Sequence, residues 1–103
     1  MKDMKKRYIL VYFDFDQINY KDLIREIKTR IMDLFGAIGL KSINVKMINM
    51  NANFFVLRCN LDSVDDLLFT LSSMKYKNSP LLPLRTSGTI KKLKSFLSNF
   101  NLD

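Results

Sequence analysis

The sequence predicts an α+β fold: a ferredoxin-like or RRM-like αβ sandwich with a four-stranded antiparallel sheet and an extra C-terminal helix. Apolar patterns follow one another in the order β-α-β-β-α-β-α, the first and third strands are the most apolar, and the fourth is flanked by prolines. Proline restricts the fourth strand to a sheet edge, which gives the strand order 4-1-3-2. By length, residues 1–103 form a single domain.

The first half of the chain contains a strand, a helix and an edge strand. In residues 7–15 apolar side chains occupy both alternating positions, so both faces of the sheet can be covered. Asn19, with Asp22 three residues later, predicts the start of the first helix, and Gly36 predicts its end. A half-buried edge strand is then predicted where apolar and polar residues alternate, at Ile43, Val45 and Met47.

The second half begins with a turn over residues 50–53 and a strand over residues 54–59. Ser63 followed by Asp66 resembles a capping box. The second helix then has an apolar stripe of Val64, Leu67, Leu68, Leu71 and Met74. Pro80 and Pro83 flank the short fourth strand, which ends near Arg85.

The third helix is predicted to begin at Ser87, and its apolar stripe must be buried against the sheet or against a partner. That stripe is Ile90, Leu93, Phe96, Leu97 and Phe100. We expect an apolar surplus for a protein interface, made of this helix together with Tyr76, Leu81 and Leu82. The alternative is that the helix folds back and completes the core.

The charge balance predicts a polyanionic partner. Seventeen Lys and Arg residues face ten Asp and Glu residues, a formal net charge of +7. Nucleic acid is the first candidate and an anionic membrane the second. The longest apolar run, residues 8–13, is too short to cross a bilayer, and the aspartates that follow argue against a signal peptide. We therefore expect a cytoplasmic protein, or a nuclear one if eukaryotic, with no membrane partner.

Several catalytic and metal sites are excluded by composition. The chain has no His, which excludes a His-based triad and the usual zinc sites, and its single Cys59 cannot form an internal disulfide. Asp14 and Asp16 are alternate residues of a strand, so both could hold one Mg²⁺ in a small nuclease. The simpler interpretation is that they solvate a strand end, because no third carboxylate lies nearby in sequence.

Three basic segments are candidate RNA contacts. The C-terminal segment could bind phosphate at a helix start, where Thr86 or Ser87 would cap the helix and Gly88 would allow close approach. Its candidate residues are Arg85, Ser87, Gly88, Thr89, Lys91 and Lys92. The N-terminal arm has Lys2, Lys5, Lys6 and Arg7, and Arg58 lies within an apolar strand, where it needs water, a carboxylate or a phosphate. The alternative for the two terminal segments is a solvated basic surface, and for Arg58 it is burial beside an acidic residue of the same protein.

Aromatic residues on the central strands allow a comparison with RRM domains, in which such rings stack on bases. The residues concerned are Tyr8, Tyr12, Phe54 and Phe55. The Gly-Phe signature of the third RRM strand is absent, and ordinary core packing explains aromatics at these positions equally well.

Several motifs together resemble the ribonuclease P protein subunits of the Pop-five type, called protein component two in archaea. They are Lys5-Lys6-Arg7-Tyr8-Ile9, Leu34-Phe35-Gly36 with Gly39, Phe55-Val56-Leu57-Arg58-Cys59, and Ser87-Gly88-Thr89-Ile90-Lys91. The likeness covers about residues 5–95. Only a few residues precede the first motif, and Ala37 stands where relatives often have an acidic residue. The short C-terminus favours an archaeal source.

The resemblance implies a non-catalytic subunit of an RNA-based endoribonuclease that removes the 5′ leader from precursor tRNA. The ribonuclease P RNA and its Mg²⁺ would perform the hydrolysis, and the protein itself would bind no cofactor. The implied partners are the ribonuclease P RNA, precursor tRNA and a TIM-barrel-like protein subunit, in a heterotetramer with two copies of each protein. An autonomous single-strand RNA-binding module, a small nuclease using Asp14 and Asp16, and an assembly domain without RNA remain as alternatives.

Overall fold

The computed structural model describes residues 5–14, 19–51 and 53–100, apart from the side chains of residues 49–51, 99 and 100. Its elements are β1 (Lys6–Tyr12), α1 (Tyr20–Ile43), β2 (Lys46–Asn51), β3 (Phe54–Asn60), α2 (Val64–Ser72), β4 (Lys75–Tyr76), β5 (Ser79–Pro80), β6 (Leu82–Ser87) and α3 (Ile90–Phe100). Four strands form an antiparallel sheet of order β2-β3-β1-β6. Since β6 is the predicted fourth strand, the α+β class and the order 4-1-3-2 are confirmed.

The main core lies between one face of the sheet and helices α1 and α2. Alternate residues of the central strands β1 and β3 point into it, among them Ile9, Val11, Phe55 and Leu57. The α1 stripe meets them through Leu23, Ile27 and Ile31, and all seven side chains are completely buried. Burying a side chain of this size stabilises a fold by about 1.5–3 kcal/mol, so this layer holds the sheet to the helices.

A second, smaller core lies on the other face of the sheet, under α3. Leu10 of β1 and Val56 of β3 pack there against Leu93 and Leu97. Helix α3 therefore folds back onto the sheet, and both faces of β1 are covered as predicted. The expectation that α3, Tyr76 and Leu81 form an exposed surface for a protein partner was wrong, because α3 packs on the sheet and Tyr76 and Leu81 are only 2% exposed. Leu82, the third residue of that expectation, is 45% exposed.

Helix α1 is broken at Gly36 rather than ended there. Gly36 has φ 75° and ψ −175°, a conformation available to glycine and strained for other residues. A second helical segment continues to Ile43, and Asn44 closes it in a left-handed conformation with its N–H bonded to the Leu40 carbonyl. Ile43 thus belongs to the helix, and the edge strand β2 begins three residues later than the alternation predicted.

The starts of α1 and α2 test the two helix caps that the sequence predicted. The Asn19 side chain accepts a hydrogen bond from the Asp22 N–H at 3.1 Å, as predicted for the start of α1. The capping box at Ser63 was wrong, because a 3₁₀ turn (Leu61–Ser63) precedes α2 and the Ser63 hydroxyl instead donates to the Ser42 carbonyl at 3.3 Å. A tertiary contact between α1 and α2 has displaced the local cap.

The β4–β5 hairpin is a feature that the sequence patterns did not predict. Its two-residue turn, Lys77-Asn78, has positive φ at both positions, as tight hairpins require. The hairpin buries Tyr76, whose hydroxyl donates to the Asp22 carboxylate at 2.8 Å. Burial, with this carboxylate nearby, raises the pKa of Tyr76 to about 12. The hairpin is thereby tied to the start of α1.

Candidate nucleic-acid interface

A row of polar and basic side chains crosses all four strands on the face of the sheet that α3 covers. In the strand registers, Lys46 of β2 lies opposite Arg58 of β3, Arg58 opposite Tyr8 of β1, and Tyr8 opposite Ser87 of β6. Residues directly opposite one another point to the same face. With strands about 4.8 Å apart, this row spans about 14 Å from Lys46 to Ser87.

Arg58 lies in this row without a carboxylate to neutralise it. Its cross-strand neighbours are Tyr8 and Lys46, and within the described part of the chain no acidic group is within ion-pair distance. Burial beside an acidic residue of the same protein was the alternative for Arg58, and these neighbours do not support it. A half-buried guanidinium flanked by another cation favours an anionic partner.

A cleft of about 620 Å³ continues the row, between β6 and the first turns of α3. It is lined by Arg85, Thr86, Ser87, Gly88, Lys92, Ser95 and Phe96. Among these lining residues there is no carboxylate, and two are cations. Four of the predicted contact residues, Arg85, Ser87, Gly88 and Lys92, are thus brought together here.

Thr89 caps α3, and Ser87 supports the residue before the helix. The Thr89 hydroxyl accepts a hydrogen bond from the Lys92 N–H at 3.2 Å, while the Ser87 hydroxyl accepts one from the Thr89 N–H at 3.2 Å. The predicted start at Ser87 is therefore three residues early, and neither Thr86 nor Ser87 is the residue that caps the helix. Each accepting hydroxyl still has its own proton to donate to a ligand.

Arg85 is the one arginine among the residues that line the cleft, and Arg7 lies outside that lining, next to Gly88. The Arg85 guanidinium carbon lies 4.9 Å from the centroid of the Phe96 ring, a cation–π contact that orients the guanidinium. Arg7 lies beside Gly88, where an added Cβ would be 3.4 Å from the Arg7 Nη1 atom, and this Nη1 donates to the Lys6 carbonyl at 3.0 Å. The bare Cα of Gly88 thus faces a cation.

Other predicted contact residues lie outside this group. Lys6 donates to the Asn60 side chain at 2.6 Å, which gives its ammonium a partner within the protein. Lys5 is exposed before β1, and Lys91 is exposed two residues before the buried Leu93, on the solvent side of α3. Lys2 lies outside the described residues.

Lys46 and Phe96 were missed as site residues by sequence reasoning. Lys46 lies in the edge strand β2, and only the strand register places it beside Arg58. Phe96 was assigned to the apolar stripe of α3, which it does join, but it also supports Arg85. The sequence did contain a signal for Phe96: it lies one helical turn after Lys92, so the two side chains share one side of the predicted helix.

Groups suited to catalysis are scarce in the described part of the chain. Asp14 is exposed after β1, and Asp16 lies outside the described residues. In the described ranges, no group of three or more His, Cys, Asp or Glu residues could hold a metal ion. Burial raises the pKa of the Cys59 thiol to about 11, with nearby Lys6 opposing the shift, so this thiol is protonated at neutral pH and packs in the core. None of the helices that the described residues form has the length and apolarity to span a membrane.

The opposite side of the molecule, formed by α1 and α2, has several exposed apolar side chains. We define the α1–α2 patch as Leu34, Phe35, Ile38 and Phe69; Ile38 is 84% exposed and Phe69 56% exposed. The Phe35 and Phe69 rings meet edge to face, with centroids 6.4 Å apart. On α2, exposed Asp65 and Asp66 lie one turn before Phe69.

Comparisons with known proteins agree with the sequence resemblance. The Rpp14/Pop5 family model matches residues 7–98. The chain is 32% identical to ribonuclease P protein component 2 of Methanococcus maripaludis over 79 residues, covering 75% of this chain and 61% of that protein. It is 28% identical to the protein of the same name from Methanocaldococcus jannaschii over 94 residues, covering 87% of this chain and 70% of that protein.

A solved structure shows the same fold. A chain in the cryo-EM structure of yeast ribonuclease MRP superimposes with a TM-score of 0.68 and 12% sequence identity, covering 97% of this chain and 94% of that one. At this identity the likeness supports the architecture alone. The family model covers most of the chain, and its matched range includes both the cross-strand row and the cleft. This chain therefore belongs to the Rpp14/Pop5 family, the family of ribonuclease P protein subunits to which its sequence motifs pointed.

Proposed function

We propose that this chain is a non-catalytic, RNA-binding subunit of ribonuclease P, the ribonucleoprotein that removes 5′ leaders from precursor tRNA. The observation that carries the proposal is the cross-strand row from Lys46 through Arg58 and Tyr8 to Ser87, continued by the cleft at Arg85 and Lys92. Contacts of this kind to phosphates position a protein on RNA without reading its sequence. Gly88 lines the same cleft, and Lys5, Lys6, Arg7, Thr89 and Lys91 are proposed as further RNA contacts around it.

Catalysis is assigned to the RNA and its Mg²⁺, with no cofactor held by the protein. Support comes from the absence of His in the sequence, from the buried, protonated Cys59 and from the exposed position of Asp14. A nucleophile needs an activating base, and a two-carboxylate nuclease needs its metal ligands to converge. In this role the chain would work in the cytoplasm, or in the nucleus of a eukaryote.

An autonomous RRM-type module is less well supported, because α3 occupies the face on which RRM domains stack bases. Leu93 and Leu97 pack on the central-strand residues Leu10 and Val56. Of the aromatics considered for stacking, Phe55 is fully buried in the opposite core. Tyr12 and Phe54 are half-buried and contact each other, with ring centroids 5.3 Å apart. The face is therefore no open stacking platform.

The α1–α2 patch is proposed to bind the TIM-barrel-like ribonuclease P subunit, in a heterotetramer with two copies of each protein. Exposed apolar side chains such as Ile38 and Phe69 are typical of protein interfaces. The acidic residues Asp65 and Asp66 would repel RNA and favour an apolar partner surface with a basic rim. RNA and protein would then bind to opposite sides of one sheet.

The RNA proposal is tested by measuring affinity for the ribonuclease P RNA of the same organism over a range of salt concentrations. We expect Arg58→Ala to weaken binding about fivefold and to reduce the log–log salt slope by about one, because one phosphate contact is lost. Lys28→Ala is the matched control, because this substitution also removes one positive charge, but from an exposed position of α1. Equal losses in both variants would mean that only net charge matters.

The same preparations test the assignment of catalysis. With Mg²⁺ and precursor tRNA, we expect 5′ cleavage only when the ribonuclease P RNA is present. Specific cleavage by the protein alone that disappears in Asp14→Asn would replace the subunit proposal with the nuclease alternative.

A further inference from the structure

The cleft between β6 and α3 combines the chemical groups that recognise a nucleotide. Its volume of about 620 Å³ lies within the range of small-ligand sites, which is about 300–1,000 Å³. Two cations, three hydroxyls and one aromatic ring line it. Such a cleft suits a ligand with both a phosphate and a flat, uncharged ring system.

A flat stacking surface is provided by Arg85 on Phe96. The Phe96 ring is half-buried against the small core under α3, so it is fixed in place. The Arg85 guanidinium lies 4.9 Å above that ring, while Arg85 itself is exposed. A guanidinium held against one ring can receive a nucleobase on its other side, as arginines do when they bind unpaired bases.

The phosphate ligands lie beside this surface. Lys92 supplies a positive charge, and the Ser87 hydroxyl, which accepts the Thr89 N–H, has its own proton available to donate. Paired bases in a helix have their flat sides covered by neighbouring pairs, so a nucleotide that uses both the guanidinium and these donors must be unpaired.

We propose that the cleft binds a single unpaired nucleotide of the RNA, with its base stacked on Arg85 and its phosphate held by Lys92 and Ser87. The inference rests on the proposed RNA-binding function and makes it more specific. It distinguishes the cleft from the cross-strand row at Arg58, where phosphates of a paired or unpaired strand bind equally well.

The test uses the full chain and the ribonuclease P RNA of the same organism, with 4-thiouridine incorporated for zero-length photo-crosslinking. We expect adducts on the cleft residues to map to nucleotides that are unpaired in the folded RNA. In parallel, Arg85→Lys keeps the charge and loses the planar surface, and we expect it to weaken binding roughly tenfold. Phe96→Leu keeps the apolar packing, removes the supporting ring and should weaken binding in the same direction.

The matched control is Arg25→Lys, the same substitution at an exposed position of α1 that does not line the cleft. We expect this variant to bind the RNA like the wild type. Wild-type affinity in Arg85→Lys, or cleft adducts confined to paired nucleotides, would overturn the inference and leave the proposed function standing. Failure of the wild-type protein to bind this RNA at all would overturn both.

Discussion

At the scale of single residues, Tyr76 joins the β4–β5 hairpin to α1 through one hydrogen bond. Its hydroxyl donates to the Asp22 carboxylate, and Asp22 also forms an ion pair with Arg25. We expect Tyr76→Phe to lower the free energy of unfolding at neutral pH by about 1 kcal/mol, because the carboxylate loses a donor and the ring packing is kept. Urea unfolding at several pH values measures this difference.

The pH dependence of that difference has a definite sign. Burial and the Asp22 carboxylate raise the pKa of Tyr76 from 10.0 to about 12 in the folded state. The folded protein therefore retains this proton where the unfolded chain releases it, and the stabilisation is complete below about pH 10 and is lost as the pH rises towards about 12. The gap between wild type and Tyr76→Phe should narrow over this window; a constant gap would contradict the proposed cause.

Individual site residues could be predicted only where the chemistry of one position was informative. Arg58 could be predicted because a charged side chain in an apolar strand needs water or an anionic partner. The segment around Ser87 could be predicted because hydroxyls, a glycine and lysines at a helix start are typical of phosphate binding. Lys46 carried no such signal, since a lysine on an edge strand is ordinary. Its position beside Arg58 depends on the pairing of β2 with β3, which a linear pattern does not contain.

At the scale of elements, Gly36 determines the shape of α1. Its φ of 75° combined with a ψ of −175° is strained for any residue with a Cβ, although no atom would clash with that Cβ. We expect Gly36→Ala to destabilise the fold by about 1–3 kcal/mol, measured as a lower urea midpoint with an unchanged slope.

Gly88→Ala is the control for that substitution. At Gly88 an added Cβ would meet only the end of the Arg7 side chain, at 3.4 Å, and that end can move aside. It should unfold near the wild-type midpoint. If Gly36→Ala were as stable as Gly88→Ala, the backbone conformation at residue 36 would not be the cause of the break in α1.

Elements were predicted well where one pattern acted alone and less well where tertiary contacts competed. The Asn19 cap, the apolar stripe of α2 and the central part of the α3 stripe, Leu93, Phe96 and Leu97, follow from local chemistry and are present. The end of α1 did not follow, because a glycine that ends one helical segment can also begin another. At Ser63 the hydroxyl bonds to Ser42, 21 positions earlier in the chain, and the local capping pattern could not reveal that competitor.

At the scale of the whole molecule, the sheet separates two chemically different sides. One carries Arg58, Arg85 and Lys92 around α3, and the other carries the α1–α2 patch with Asp65 and Asp66. The sequence predicted a basic RNA-binding protein with an apolar surplus, but it assigned the surplus to α3. Composition sums over the whole chain, so it could not reveal that large apolar side chains are exposed on the α1–α2 side.

This separation predicts that the two proposed binding activities can be removed one at a time. Ile38 is 84% exposed, so Ile38→Glu should leave the stability within about 0.5 kcal/mol of wild type. A carboxylate buried at an apolar interface without a partner costs about 2 kcal/mol or more, so we expect binding to the TIM-barrel-like subunit to weaken at least roughly 30-fold.

The reciprocal variant is Arg58→Ala, which should weaken RNA binding and leave the protein complex intact. Size-exclusion chromatography with light scattering on coexpressed proteins measures the complex, and RNA affinity is measured on the same samples. If Ile38→Glu formed the complex normally, the partner would not bind at the α1–α2 patch. If each variant instead lost both activities, RNA and protein would share one surface, and the two-sided arrangement would be wrong.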